Sequence, residues 1–441
     1  MMKFVKAALY VAASFLLFFL LREAFPKYAG AMKGYLVLWL LDGYLWISTR
    51  SALRSKGTGV LLLGGFFYWL PLLMILAGIL YGWFIPFLEW NIFFRTELLT
   101  LIQIGYAVKV IPAISAILRD IMKIVYRPAV ATAGYGVRQR PSRSRLMTAG
   151  WSLGLLTGLV LLGGHLFGQY RIRTETVTLE IRDLPPSFNN LRIVQLSDLH
   201  LGNWNCREKL AEAVERINRL QPHLIFVTGD MATFSTLDVS SFREELEKLK
   251  AAEGIFVIYG NHDYGQYYKY KDMKEVYANM DRFGQLYSDL GWTLLLNEQR
   301  ILIRETDSIA VLGVENWGEE ERFPKLADIV KAEKGTENIA TKLLLSHDPT
   351  YWEKFIAPRH PEVDVTFSGH THGGQIGIEL PGLSFSLVSM LHPFWAGLYS
   401  DTSGNHVRYL YVNRGLGTVG YSGRVGIAPE ITLFFLKRAP Q

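Results

Sequence analysis

The chain is 441 residues long, half of them apolar and a fifth charged, with a formal net charge of +6 and a single cysteine, Cys206. One thiol excludes an internal disulfide framework, and this apolar fraction over this length excludes a disordered chain or a small stapled scaffold. There is room for more than one domain with its own core.

In chain order, apolar runs at 4–21, 34–49, 59–85, 98–118 and 146–167 predict an all-α membrane region of four to five helices over residues 1–168. Four of them reach the roughly 18 residues expected of a membrane helix. The 34–49 run is shorter and carries Asp42, so it either spans or lies at the interface. The first run follows Lys3 and Lys6 with no clean small-X-small cleavage site behind it, the pattern of a retained anchor.

Charge separates the two parts of the chain. Residues 1–170 hold 17 Lys/Arg against 5 Asp/Glu, and residues 171–441 hold 29 against 35, so the total is +12 combined with −6. A basic protein raises the question of nucleic acid, but here the excess sits in loops beside apolar spans, where it sets orientation; no nucleic acid is expected. Lys3 and Lys6, then Arg50, Arg54 and Lys56, then the seven Lys/Arg of 119–145 would face the cytoplasm, with the nearly neutral 86–97 outside. Residues 22–33, with three basic residues and one acid, count against the scheme, but the long basic loop dominates and predicts an extracytoplasmic position for everything after 169. The run from Arg138 to Arg145 reads as a cytoplasmic stretch beside the membrane, either touching anionic lipid headgroups or serving only as a topology signal.

From 169 to 441 the chain reads as one α/β domain. Strand-like runs recur at 177–181, 191–196, 224–228, 255–259, 293–296, 309–314, 342–345, 363–367, 407–412 and 431–436. Between them, Leu210, Ala213, Val214, Ile217 and Leu220 mark a helix over 207–220 that stops before Pro222, and Ser241 to Glu244 predicts the start of another. Asn205 and Glu208 form a capping-box pattern that makes Cys206 a small helical residue instead of a nucleophile. His165, His223, His360, His392 and His406 fit no motif and read as structural or solvated.

Five short blocks, each behind an apolar run, carry the chemistry: Asp198-Leu199-His200, Gly229-Asp230, Gly260-Asn261-His262-Asp263, Ser346-His347-Asp348-Pro349 and Gly369-His370-Thr371-His372. Singly, the first reads more readily as a satisfied surface pair, and the second could be nothing more than a strand-ending turn. In combination they supply seven ligands: Asp198, His200, Asp230, Asn261, His347, His370 and His372. Oxygen and imidazole donors suit two divalent ions, Mn, Fe or Zn, and such a pair needs a shared carboxylate, for which Asp230 is the candidate.

These blocks resemble the calcineurin-like metallophosphoesterase superfamily over roughly residues 190–375. The Ser346–Pro349 block, the extension Gly369 to Gln375, and the tail motifs Tyr411 to Gly417 and Pro429-Glu430-Ile431 look like its bacterial branch of membrane-associated phosphodiesterases. The resemblance implies two packed β-sheets flanked by helices. It also implies Asp198, His200, Asp230 and His372 on one metal, with Asp230, Asn261, His347 and His370 on the other. His262 matches the non-ligand histidine that contacts phosphate and helps the leaving group depart; Asp263 is expected to orient it, and Asp348 to do the same for His347.

The function so implied is a membrane-tethered, dinuclear phosphoesterase that hydrolyses a phosphodiester or pyrophosphate of lipid or nucleotide type by attack of a metal-bridging hydroxide. Its location would be a bacterial inner or plasma membrane, in contact with membrane lipids, and no protein partner is indicated. The alternative is a membrane sensor or binding protein that keeps the metal site without turnover; the His262-Asp263 pair favours the enzyme. Transport is a poorer reading, because only Asp42 and Lys109 are charged well inside spans. The tyrosines at 264, 267, 268, 270 and 277 form either a substrate-facing lid or the cover of a helix.

Overall fold

The structure, a computed structural model, describes residues 2–24, 29–132, 143–265, 267–268, 270–318, 325–380, 382–403 and 406–440. The chain divides into two compact units, Met1–Trp90 with Glu97–Leu162, and Asn91–Thr96 with Gly163–Gln441. The second unit thus begins a few residues before the expected boundary at 168 and takes in a short segment from the middle of the amino-terminal region.

The first unit is built from helices α1 (Met2–Ala24), α2 (Ala29–Arg54), α3 (Thr58–Phe84), α4 (Ile92–Thr132) and α5 (Arg143–Gly163), with the first turn of α4 belonging to the second unit. Among the described residues, three stretches are long and apolar enough to cross a membrane: Thr58–Phe84, Ile92–Met122 and Arg145–Gly168. Asp42 is buried and its carboxylate lies 2.7 Å from Lys109 Nζ, while the Tyr106 hydroxyl donates to its second oxygen at 3.0 Å. The two charges found inside the apolar runs therefore neutralise each other, which favours a packing role over a solute path. Gly154 and Gly158 of α5 lie against Val108 of α4, the close approach that small residues permit between apolar helices. Of the basic run from Arg138 to Arg145, residues 138–142 lie outside the described residues, and Arg143 opens α5.

The second unit is a sandwich of two mixed sheets. Its strands are β1 (Arg173–Ile181), β2 (Leu191–Leu196), β3 (Leu224–Val227), β4 (Gly254–Val257), β5 (Thr293–Leu294), β6 (Glu298–Arg304), β7 (Asp307–Gly313), β8 (Lys342–Leu345), β9 (Val365–Ser368), β10 (Gly377–Leu380), β11 (Leu383–Ser386), β12 (Gly397–Ser403), β13 (His406–Val412) and β14 (Glu430–Arg438). One six-stranded sheet runs β1-β14-β2-β3-β4-β5 and the other β12-β13-β9-β8-β7-β6, with β10 and β11 forming a separate hairpin. Parallel pairing of β2 with β3 and β3 with β4, and of β7 with β8 and β8 with β9, sends the carboxyl ends of these strands to one edge of each sheet.

Buried on both faces, the central strands read as continuous apolar runs. Ile193, Phe226 and Phe256 of the first sheet pack with Leu343, Val365 and Phe367 of the second to form the core between them. On the outer face of the first sheet, Val194, Ile225 and Val227 meet Leu210, Val214 and Ile217 of helix α6 (Arg207–Arg219). Leu312 and Leu344 meet Trp352 and Ile356 outside the second. Each fully buried side chain of this size stabilises the fold by roughly 1.5–3 kcal/mol.

Two local expectations give way. Cys206 is itself the residue before the first turn of α6, its thiol donating to Glu208, while the Asn205 side chain accepts from the Tyr170 hydroxyl at 2.6 Å and does not cap. The helix expected from Ser241 is a short turn, Arg243–Leu246, behind Phe242; the capping box lies upstream, where Ser235 and Asp238 close the start of Thr236–Ser240.

Candidate metal centre

All five blocks lie just past a strand end: Asp198 after β2, Asp230 after β3, Asn261 after β4, His347 after β8 and His370 after β9. The turns that expose them are tight. Asp198, His200, Asp230, His370 and His372 all take left-handed backbone conformations, with φ between 43° and 71°. Asp and His tolerate this region better than most residues, yet five such positions in one pocket are strain of the kind that functional sites hold. At Gly229 (φ 95°) any Cβ would run into the Gly260 backbone and the His347 ring, so only glycine brings the third block beside the second.

These turns bring the seven predicted ligands together. His200 Nε2 lies 3.0 Å from His372 Nε2, His370 Nδ1 lies 3.3 Å from His347 Nε2, and Asn261 Oδ1 is 2.9 Å from His370 Nδ1. Asp198 Oδ1 is 3.3 Å from His372 Nε2. Asp230 Oδ2 stands between the two sets, 3.2 Å from His347 Nε2 and 3.6 Å from His200 Nε2. Ring nitrogens this close must share a proton or a cation, and with four imidazoles and two carboxylates converging on one buried pocket the donor set fits divalent metal. Three groups at this centre have ligand atoms within 4.8 Å of one another: Asp198–His200–His372, Asp230–His347–His370, and His200–Asp230–His262. The first two are separate groups that could each hold an ion, and Asp230 of the second also lies beside His200 of the first.

Supporting contacts fix the rings. His347 Nδ1 donates to the Thr228 carbonyl at 2.7 Å, and Asp198 accepts the His370 amide. His262 Nδ1 donates to the Thr233 carbonyl at 2.8 Å. The expected Asp263 partnership is corrected here: the Asp263 carboxylate accepts the backbone N–H groups of Asp230, Ala232 and Gly260 at 2.8–3.1 Å, tying the second block to the third. Asp348 likewise does not serve His347; it accepts the Thr350 amide and lies 3.6 Å from His370 Nε2.

Burial dominates the electrostatics. It holds His200 and His372 well below the usual histidine range, which leaves them neutral and ready to ligate. For His347 burial works the same way, but the carboxylates of Asp230 and Asp198 overcome it and raise the ring to about 10. Asp263 is pushed up to about 7 by burial and by the neighbouring Asp230. His262 is lowered, chiefly by burial, against the pull of Asp230.

Tyr267 belongs to the tyrosine segment noted in the sequence, while two further contributors, Arg424 and Arg95, carry no signal there. Tyr267 stacks on His262 with ring centroids 3.7 Å apart and planes within 5°, and accepts from Asn261 Nδ2 at 2.9 Å. Arg424, fully buried, donates to the carbonyls of Arg414, Gly415 and Gly417 and to that of His372. Arg95 is taken up below. The tyrosine segment divides its work: Tyr264 is buried against Glu315, Tyr267 reaches the centre, and Tyr277 is exposed on the helix Met273–Asp289. Of the histidines outside the motifs, His165 bonds the Ser422 carbonyl, His223 accepts the Arg192 amide, His360 lies between Glu333 and Glu362, and His406 lies beside Asp364.

The sequence profile of the calcineurin-like phosphoesterases matches residues 191–374, the stretch that holds all five blocks. A transmembrane protein with a metallophosphoesterase domain from Danio rerio is 29% identical over 65% of this chain and 62% of its own, and its counterpart from Bos taurus is 30% identical over 60% and 57%. The chain therefore spans only about three fifths of these relatives. The uncharacterized metallophosphoesterase YkuE of Bacillus subtilis is 30% identical over 62% of this chain and 90% of its own length. Relatives in animals as well as bacteria mean that the likeness does not single out a bacterial source. With the profile, the relatives and the fold in agreement, this chain belongs to the calcineurin-like phosphoesterases.

Proposed function

We propose that the protein is a membrane-anchored phosphoesterase that hydrolyses a phosphodiester or pyrophosphate of lipid or nucleotide type at a dinuclear metal centre. The observation that carries this reading is the position of Asp230 Oδ2 between two sets of converging histidines. Asp198, His200 and His372 would hold one ion, and Asn261, His347 and His370 the other, with Asp230 shared. Divalent ions bound there acidify water and neutralise charge that develops on phosphoryl oxygens.

The remaining work falls to the chain. With Nδ1 committed to the Thr233 carbonyl, His262 presents its other nitrogen, which carries a proton only as the imidazolium. Burial opposes that second proton and Asp230 favours it, a balance suited to handing a proton to the departing oxygen. Asp263 acts one step back by fixing the backbone of Asp230 and Gly260. A pure binder has no use for such a group, so the enzyme is favoured over a sensor.

Three long apolar helices support anchoring in a membrane, and the seven basic residues of 119–145, from the end of α4 to the start of α5, support a catalytic unit on the far side from the cytoplasm. An outward-facing site meets envelope lipids, cell-wall intermediates or scavenged nucleotides, not cytosolic metabolites. The test is an assay of full-length protein with added Mn against phosphomonoesters, phosphodiesters, pyrophosphates and phospholipids. Preference for diesters or pyrophosphates is expected; activity confined to monoesters would overturn the substrate class.

A further inference from the structure

We infer that the β10–β11 hairpin and the turn after it form a lipid-inserting element that seats the catalytic unit on the bilayer its helices cross. This rests on the membrane anchoring proposed above and adds the place where the catalytic unit itself meets lipid.

The hairpin is inside out for a soluble protein. Its register sets Ile378 opposite Phe385 and Leu380 opposite Leu383, so these four side chains share one face, and all four are exposed. The other face carries Glu379, whose carboxylate is taken by Arg414 at 2.6 Å and by Arg173 at 3.4 Å. A sheet with one solvated side normally turns its polar face outward; here the polar face is committed to the protein and the apolar face is left over. The turn Leu387–Met390 continues the patch, with Leu387, Met390 and Leu391 exposed by 71%, 72% and 78%. From Leu380 to Ser400 the sequence holds no Asp, Glu, Lys or Arg. A continuous apolar patch of this kind marks an interaction surface.

What covers it follows from its neighbours within the same unit. The apolar stretch Arg145–Gly168 ends in Gly164–Gly168, which packs in this unit against Tyr421, Arg424 and Val425; the Arg424 amide donates to the Gly164 carbonyl at 3.1 Å. Val425 in turn exchanges hydrogen bonds with Gln375 and Gly377, both at 2.9 Å, at the root of the hairpin. The patch is thus one hydrogen-bonded layer from the end of a membrane-length helix, where Leu166 and Phe167 are also exposed. The patch is also joined to the centre: Thr371, between His370 and His372, donates to the Trp395 carbonyl at 2.6 Å, and the hairpin starts five residues after His372. Seating this element in lipid places the metal centre at the membrane surface, where a lipid phosphoester would present its headgroup.

The test uses the full-length chain with Cys206→Ser and one new cysteine, Leu387→Cys or Met390→Cys, labelled with an environment-sensitive fluorophore. Ile303→Cys, exposed on β6 at the other edge of the second sheet from β12, serves as reference. Labelled protein is placed in phosphatidylcholine–phosphatidylglycerol nanodiscs with and without brominated acyl chains. Blue-shifted emission at 387 and 390, quenched by bromine several-fold more than at 303, is the expected result, since apolar faces at an interface sit ~5–10 Å into the headgroup–acyl boundary. Equal quenching at all three positions overturns the inference, and so does a blue shift without bromine quenching, which would mean the patch is covered by protein, a second copy included. Depth is read without turnover, so an inactive chain that still shows the quenching refutes the hydrolase and not the seat, while an active chain without it does the reverse.

Discussion

Arg95 and Asp238 form an ion pair at 2.7 Å with side chains only 1% and 3% exposed, inside the catalytic unit although Arg95 lies in the first turn of α4. The same guanidinium donates to the Gly202 carbonyl at 3.1 Å, in the turn after His200. The other carboxylate oxygen of Asp238 accepts the amides of Thr233, Phe234 and Ser235, and Thr233 supplies the carbonyl that holds His262. One residue from the amino-terminal region therefore braces two turns that carry site residues.

Replacing Arg95 by Ala leaves Asp238 buried without its cation, a change that typically costs about 3–5 kcal/mol. Thermal melting of the full-length variant should show a large drop, and a fragment that begins at Gly163, which lacks Arg95, should be similarly unstable. A fragment as stable as the intact unit would show that the brace contributes nothing.

For His262→Ala we expect metal content to hold while turnover on a substrate with a poor leaving group falls by roughly 10²–10⁴. Loss of metal along with activity would instead make His262 a ligand, which its place beside His200 and Asp230 would then explain.

Tyr267 lies flat on His262 and bonds Asn261, so Tyr267→Ala removes a ring contact and a hydrogen bond from the site at once. Together these are worth about 1–2 kcal/mol, or on the order of tenfold in kcat/KM. Steady-state kinetics of Ala and Phe variants should separate the two contributions; wild-type values for both would remove Tyr267 from the site.

Topology is checked with protease on intact spheroplasts of an expressing bacterium. Cleavage beyond Gln169, with the 138–145 loop spared, is expected from the seven basic residues of 119–145. The opposite pattern would put the site in the cytoplasm and favour a biosynthetic lipid pyrophosphatase.

Much of the site was legible because Asn-His-Asp and His-Thr-His blocks directly behind apolar strands are rare, and because β3, Leu-Ile-Phe-Val, is buried on both faces and so appears as an unbroken apolar run. The support around the blocks was not. Asp263 bonds backbone amides that no side-chain pattern encodes, and Arg95 and Arg424 reach the site from distant parts of the chain. The β10–β11 hairpin escaped for a different reason: its strands are four residues long, and its alternation of Ile378, Glu379 and Leu380 points the apolar residues outward.

The central claim is the shared carboxylate, and metal analysis of the purified full-length protein beside its Asp230→Asn variant tests it most directly. Two divalent ions per active wild-type chain, both lost together in the variant with its phosphodiesterase activity, is the predicted result. Active wild-type protein with at most one ion per chain, or a variant that keeps both, would contradict it.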